Sequence, residues 1–415
     1  MNGNNRQFAS GKLVVAFSLM LFAATVHVAY AQKGQLTGSW GGVRDSLQRN
    51  GIVIQPRLTL FQQNFVAGSA DNKSVFSGKA DLMIKLNGIG LGLKRLTLVS
   101  HLEQNFGQTL NLRGGVLIPE NTATTFPGLQ GSRAFDLSSL HLIYQFGKAN
   151  VLMAGKINMV DIAAETRYSG GAGIDAFWNV NFAAPVSGTL PPYILGAISI
   201  IRTPALKYTL MVYDPRNYAN QFPTPFEKGV SFSVGAEKEL SILGKKGTHA
   251  VTFRYSTQDG ADLYDLGDII LPSPEDSVGR KNSRWYINYV INQTLVEYDE
   301  TGKGWGLFGM VGLSDGNPNP IRFGMHLGIG GNSFLKKRSD DRWGLAFYNY
   351  SLSVPLEDLG TRLGNGLRNE TGVELFYQAW LTPYLSLGAD FQWVLPVVAD
   401  NEAALLVGFR SSVRL

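Results

Sequence analysis

Sixteen charged residues fall on one phase of a two-residue alternation: Arg57, Lys79, Asp81, Lys85, Arg95, Glu103, Lys156, Lys207, Glu237, Arg254, Arg284, Arg322, Glu374, Asp390, Arg410 and Arg414. Eleven are cations and five are carboxylates. Gathered on one wetted surface, they would hold a positive potential and favour anions among ions. The same mixture suits a neutral solute rich in hydroxyls. Guanidinium groups donate to a hydroxyl and carboxylates accept from it.

Covalent chemistry finds less support. Nucleophilic catalysis needs a nucleophile, a base and an orienting carboxylate. After residue 31 the histidines are His101, His141, His249 and His326. Ser139 and Glu103 fall near the first two on neighbouring segments, but no motif surrounds them. There is no H-E-x-x-H, no P-loop glycine signature and no cysteine, hence no thiolate metal site. No cofactor and no metal are implied, and an enzyme would rest on that His–Ser adjacency alone.

The charged residues need a scaffold, and the dominant period is two. Leu140, Leu142, Tyr144 and Phe146 alternate with Ser139, His141, Ile143 and Gln145. Val373, Leu375, Tyr377 and Ala379 alternate with Gly372, Glu374, Phe376 and Gln378. Sixteen such segments are expected, at 52–65, 79–88, 95–105, 137–146, 149–157, 193–203, 206–213, 230–237, 248–256, 283–298, 304–313, 321–330, 341–351, 371–380, 384–395 and 403–415. The sixth alternates poorly.

Connections after odd-numbered segments are long and those after even-numbered segments are short. An up-and-down barrel in an outer membrane has this signature, with an even strand number and short turns at one end. In hydrocarbon every backbone N–H and C=O needs a partner, so a spanning sheet must close on itself. One strand face then meets lipid and the other lines the lumen. Trp285, Trp305, Trp343, Trp380 and Trp393 lie near segment ends, where aromatic girdles form.

Composition agrees. The 415 residues are only 17% charged, against roughly 25% in soluble globular chains. Beyond residue 31 no apolar run reaches the ~20 residues of a helical span. The formal charge of +5 comes with no basic cluster, so no nucleic acid partner is expected.

Residues 1–31 have the parts of a secretory signal: Arg6 and Lys12, an apolar stretch, then Ala29-Tyr30-Ala31. The division expected is a signal peptide at 1–31, an N-terminal periplasmic segment at 32–51, and a transmembrane barrel at 52–415. Trp40, Val43 and Leu47 sit at helical spacing behind Ser39, a capping residue type. They predict a short helix over 39–49.

Gln35-Leu36-Thr37-Gly38-Ser39-Trp40-Gly41-Gly42-Val43-Arg44 resembles the opening motif of the carbohydrate-selective, OprB-type porins. In order follow Asn121-Thr122-Ala123 with Phe126-Pro127-Gly128, and Ala154-Gly155-Lys156-Ile157-Asn158 with Asp161. Then come Pro191-Pro192-Tyr193, Gly304-Trp305-Gly306-Leu307-Phe308-Gly309, Asp315-Gly316-Asn317-Pro318-Asn319 and Glu374-Leu375-Phe376-Tyr377. Two departures stand out: Ser39 replaces an acidic residue, and Leu415 ends the chain in place of an aromatic.

The resemblance implies an all-β, sixteen-stranded antiparallel transmembrane barrel with a short N-terminal periplasmic helix. It would sit in the outer membrane of a Gram-negative-type bacterium and pass mono- and oligosaccharides by diffusion. Outer-membrane lipid and the barrel-assembly machinery would be its partners, as a monomer or a homotrimer. The pore-lining set expected is Arg57, Lys85, Arg95, Glu103, Lys156, Asp161, Glu165, Arg167, Arg254, Arg284, Arg322, Glu374 and Asp390. The longest loop, 158–192, is expected to fold inward, with 106–136 (Arg113, Glu120, Arg133) second. A general or anion-selective porin fits the excess of cations equally well. A secreted soluble β-protein remains a third reading.

Overall fold

The structure, a computed structural model, describes residues 34–415 apart from 71–72, 129–134, 186–188, 219–223, 266–278, 299–301, 336 and 365. The expected signal segment 1–31 and Arg133 lie outside the described residues.

The chain forms β1 (Ile52–Ala67), β2 (Ser74–Asn87), β3 (Leu96–Gly107), β4 (Asp136–Phe146), β5 (Asn150–Asn158), β6 (Tyr193–Arg202), β7 (Lys207–Tyr213), β8 (Ser231–Ile242) and β9 (Lys245–Ser256). A two-residue ribbon, β10 (Gly260–Ala261) with β11 (Arg280–Lys281), sits in a loop. Then come β12 (Arg284–Glu297), β13 (Gly304–Ser314), β14 (Ile321–Asn332), β15 (Arg342–Leu352), β16 (Glu370–Trp380), β17 (Leu385–Leu395) and β18 (Ala404–Arg414). All but the ribbon pair with their neighbours into one closed antiparallel barrel. The seam joins β1 to β18, with Arg57 opposite Arg414 and Phe61 opposite Arg410.

These are the sixteen segments the alternation predicts. The main differences are extensions. β2 starts at Ser74, while β8 runs to Ile242 and β9 starts at Lys245. Lys238, Glu239 and Lys246 obscure the apolar period there, yet the ladder continues through them. Leu243 and Gly244 close this hairpin with φ of 52° and 73°, the left-handed pair that suits a two-residue turn.

The alternation has a physical cause on each face. Outward, Leu140, Leu142, Val311, Leu313, Leu345, Leu375 and Phe409 are exposed, forming an apolar belt. Inward, Thr59, Phe61, Gln63 and Phe65 are buried beneath loops. The poorly alternating β6 is apolar on both faces because its inner residues Ile194 and Ile198 pack with Met153, Ile157, Met211 and Tyr213.

Trp285, Trp305, Trp343 and Trp393 share the ladder phase of the outer belt, with Trp305 and Trp343 edge-on at 5.8 Å. Trp380 differs. It stands opposite the buried Ser386, with the Arg414 guanidinium 4.2 Å from its ring centre.

The N-terminal helix is shorter than expected, Val43–Arg49, and Gly42 precedes it with no side-chain cap. Ser39 instead accepts from the Gly42 amide, tightening a turn before the helix. The segment clasps the chain end: the Leu36 amide donates to the Arg414 carbonyl at 2.8 Å. Arg44 donates to the Leu415 carbonyl at 3.0 Å.

Candidate functional site

Long loops leave the barrel end opposite the termini, and two of them turn inward. The loop after β5 carries the short helix Met159–Ala164, capped by Asn158. It descends far enough for Arg167 to donate to the Gly302 carbonyl, in a turn at the terminal end. The Tyr168 hydroxyl donates to Thr294 at 2.7 Å, and Arg342 donates to the Arg167 carbonyl at 3.1 Å. The loop then climbs through Asp175, Phe177 and Trp178. The loop after β3 packs on it: Thr122 donates to the Trp178 carbonyl through both N–H and hydroxyl, and Val180 donates to the Pro119 carbonyl.

Several of the charged residues on the lumen phase are engaged in holding these loops. Arg57 donates to both oxygens of Asp175, at 2.7 and 2.5 Å. Burial alone would raise the Asp175 carboxyl, but Arg57 outweighs it and holds the group well below the usual carboxylate range. Lys79 pairs with Glu103 at 2.5 Å and donates to the Phe126 carbonyl. His101 lies between Asp161, at 2.9 Å, and Asp81, at 3.3 Å. The fully buried Glu374 accepts from the Trp178 and Asn179 amides at 2.6 and 2.9 Å. Asp390 accepts from Gln392, which donates in turn to the Glu120 carbonyl. Arg410 donates to the Gly173 and Ala176 carbonyls beneath Trp178.

Glu370 accepts from the Leu117 and Ile118 amides, and Glu120 from the Leu112 amide. Burial pushes the Glu120 carboxyl up to about 8, a rise that hydrogen bonds from backbone amides only partly offset. Asp81, His101 and Glu103 are close enough together to ligate a metal, but the Lys79 ammonium already occupies that neighbourhood.

Glycines make room for the loop. A Cβ on Gly408 would sit 2.7 Å from the Trp178 ring, and one on Gly344 would sit 2.4 Å from Phe177. Phe177, Phe182, Phe308, Phe376 and Tyr348 pack edge-on between this loop and the barrel wall. One side of the barrel interior, against β1–β5 and β15–β18, is therefore filled.

The other side stays open. A cavity of about 620 Å³ lies between the inner loop, at Met159, Thr166, Phe182 and Pro191, and the wall of β9 and β12–β14. Arg254, Arg284, Tyr286, Asn288, Asn292 and Phe308 line that wall. Arg254 stands opposite Tyr286 in the ladder, its guanidinium carbon 5.6 Å from the ring centre.

The expected pore-lining residues therefore separate. Arg254 and Arg284 line the open cavity. Arg57, Glu103, Asp161, Glu374 and Asp390 are brought to the inner side but are engaged in holding the loops or in buried side-chain pairing. Arg167 holds the loop's lowest point, pairing with Glu297 at 3.7 Å. Glu165 is exposed just after the loop helix and does not line the cavity. Lys85 is exposed near the terminal end of β2. Arg95 is exposed in the turn before β3, because the strand begins only at Leu96. Arg322 is exposed at a bulge, which takes it out of regular pairing. Lys156 is buried and faces Leu140 of the outer belt in the ladder, out of phase with the rest. Tyr286, Asn288, Asn292 and Phe182 were missed; their only signal is the inward phase of β12 and a loop aromatic.

A closed sixteen-stranded barrel with an apolar outer belt, inward loops and a partly open interior defines a porin, an outer-membrane channel. The family model for carbohydrate-selective porins, OprB family, matches residues 152–415, and the chain belongs to that family. It is similar in fold to the high-pH structure of Pseudomonas putida OprB, with a TM-score of 0.77 and 16% identity over 94% of this chain and all of that one. The low-pH structure of the same protein matches with a TM-score of 0.57 at 15% identity, over 93% of this chain and 100% of that one. Salmonella typhi OmpF in complex with daunomycin matches with a TM-score of 0.50 at 8% identity, over 88% and 99%. No curated protein sequence matches. The protein is a carbohydrate-selective outer-membrane porin.

Proposed function

We propose that saccharides cross through the open side of the barrel, between the inner loop and the wall of β9 and β12–β14. The single observation that carries this reading is the cavity of about 620 Å³ lined by Arg254 and Arg284. That volume lies within the range of small-ligand sites. Guanidinium groups and the Asn288 and Asn292 amides donate to sugar hydroxyls, while Tyr286 and Phe308 offer ring faces to the apolar face of a sugar. Each contact replaces part of the sugar's hydration, weakly enough to permit exit. Residues 1–31 direct export and are cleaved, and 32–51 lie in the periplasm. The barrel-assembly machinery inserts the rest into the lipid of a Gram-negative-type outer membrane, as a monomer or a homotrimer.

The test is a planar bilayer holding the full-length protein, with glucose and then a maltooligosaccharide titrated while current is recorded. Concentration-dependent block, weakened in Arg254→Ala and Tyr286→Ala, is expected. Block unchanged in both variants would place the path elsewhere. Open channels indifferent to sugar would return the general-porin reading.

A further inference from the structure

The open cavity has a charge composition that a path for neutral sugars does not require. The only formal charges lining it, among the described residues, are Arg254 and Arg284. Arg254 makes no ion pair or hydrogen bond among the described residues, and its Nε is buried without a partner. Arg284 donates only to a backbone carbonyl, that of Asp259, and its Nε is likewise buried and unpartnered. The two lie on adjacent strands and one face, since Arg254 is opposite Tyr286 and Arg284 is two residues back along β12. Such diagonal neighbours stand about 7–8 Å apart at Cα, a spacing at which two long side chains can reach one small anion.

The described carboxylates nearby are engaged elsewhere. Asp214 is fully buried and bonded to Arg216, and Asp262 pairs with Lys281 at 2.9 Å. Asp259 pairs with Arg280 at 3.2 Å, and Glu237 with Lys207 at 2.6 Å. Asp315 accepts from Asn319 and the Trp285 amide; its charge acts on Arg284 without an ion pair between them, and no described carboxylate faces Arg254 in an ion pair. The remaining polar groups on the cavity wall are amides such as Asn288, Asn292 and Gln258, hydroxyls such as Ser256 and Thr166, and the buried imidazole of His326.

We infer that the channel prefers anionic monosaccharides, with the anionic group of the sugar seated between Arg254 and Arg284 and its ring against Tyr286. The inference rests on the open-side path proposed above. One unit charge about 4 Å from another gains roughly a factor of five in occupancy even at the dielectric of bulk water. Two guanidinium groups in a partly desolvated cavity give more. Planar guanidinium forks also match a carboxylate in two bonds.

The experiment measures initial uptake of radiolabelled glucuronate and glucose, at equal concentration, into proteoliposomes holding the full-length protein at pH 7. The expected result is glucuronate entry at least about five times faster than glucose at low salt. The preference should collapse toward unity near 1 M salt, where the screening length falls to about 3 Å. In Arg254→Gln with Arg284→Gln the preference should disappear, with heat-modifiable migration confirming a folded barrel. Glucose entering as fast as glucuronate, with glucose block still sensitive to Tyr286→Ala, would overturn this inference and leave the path intact. A preference for glucuronate that survives the double substitution would overturn the assignment to these two residues.

Discussion

Replacing Glu374 with alanine should unfasten the inner loop without unfolding the barrel. Glu374 is fully buried and accepts from two amides of that loop, Trp178 and Asn179, at 2.6 and 2.9 Å. Stranding a buried donor costs about 1–3 kcal/mol, so two cost about 2–6 kcal/mol. That shifts the inward–outward equilibrium of the loop by a factor of roughly thirty to ten thousand or more, at about 1.4 kcal/mol per tenfold. The barrel ladder passes through the backbone of residue 374, opposite Ala346 and Gln392, and keeps its bonds. Single-channel recording should therefore show larger, noisier conductance and weaker glucose block, while heat-modifiable migration stays normal. Glu374→Gln retains one acceptor oxygen and should fall between the two. Wild-type conductance and glucose block in a folded Glu374→Ala protein would refute the idea that this carboxylate anchors the loop.

Arg254→Ala should move the reversal potential toward cations, whereas Arg95→Ala, in an exposed turn, should leave it unchanged; bilayer recording checks both. Gly408→Leu should drive side-chain atoms into the Trp178 ring, 2.7 Å from the first added carbon. Overpacking of this kind costs about 1–3 kcal/mol, seen as faster amide exchange over residues 176–180. Glu120 has its carboxyl raised to about 8 from an ordinary value of 4.5. The native loop therefore binds more protons between those values, and its stability falls as pH rises from about 4.5 to 8. Amide exchange over 109–125 should quicken across that window, and less so in Glu120→Gln. Asp175 runs the other way: its depressed carboxyl supports the loop above about pH 3.9, and that support is lost only as pH falls through its lowered value. Conductance should then hold between pH 4 and 5 as far as this pair is concerned, and Arg57→Ala should open the loop at every pH.

The barrel was legible because each strand has to satisfy lipid on one face, and that requirement writes a period of two directly into the sequence. It faded where charge takes over near strand ends, as at Lys238, Glu239 and Lys246, and in β6, where both faces are apolar. The site was legible in kind but not in detail. Alternation places Arg57, Glu374 and Arg254 on the same inner face, and all three look like pore residues. What separates them is a partner far away in the chain: Asp175 lies 118 residues from Arg57, and Trp178 lies 196 from Glu374. Strand periodicity carries no information about such pairings. A usable signal was present in inward-phase glycines such as Gly344 and Gly408, which mark where a bulky loop residue must approach the wall.

The clasp between Leu36 or Arg44 and the last two residues imposes an order on assembly. The residues joined by the Arg44–Leu415 hydrogen bond are 371 positions apart. Closing so long a loop costs about 5 kcal/mol by the logarithmic rule, more than a single hydrogen bond returns. The first residues therefore cannot hold their place until β18 has met β1 and the seam has already brought the ends together. The clasp therefore closes after the seam, and an unclasped terminus is what a barrel with an open seam should show.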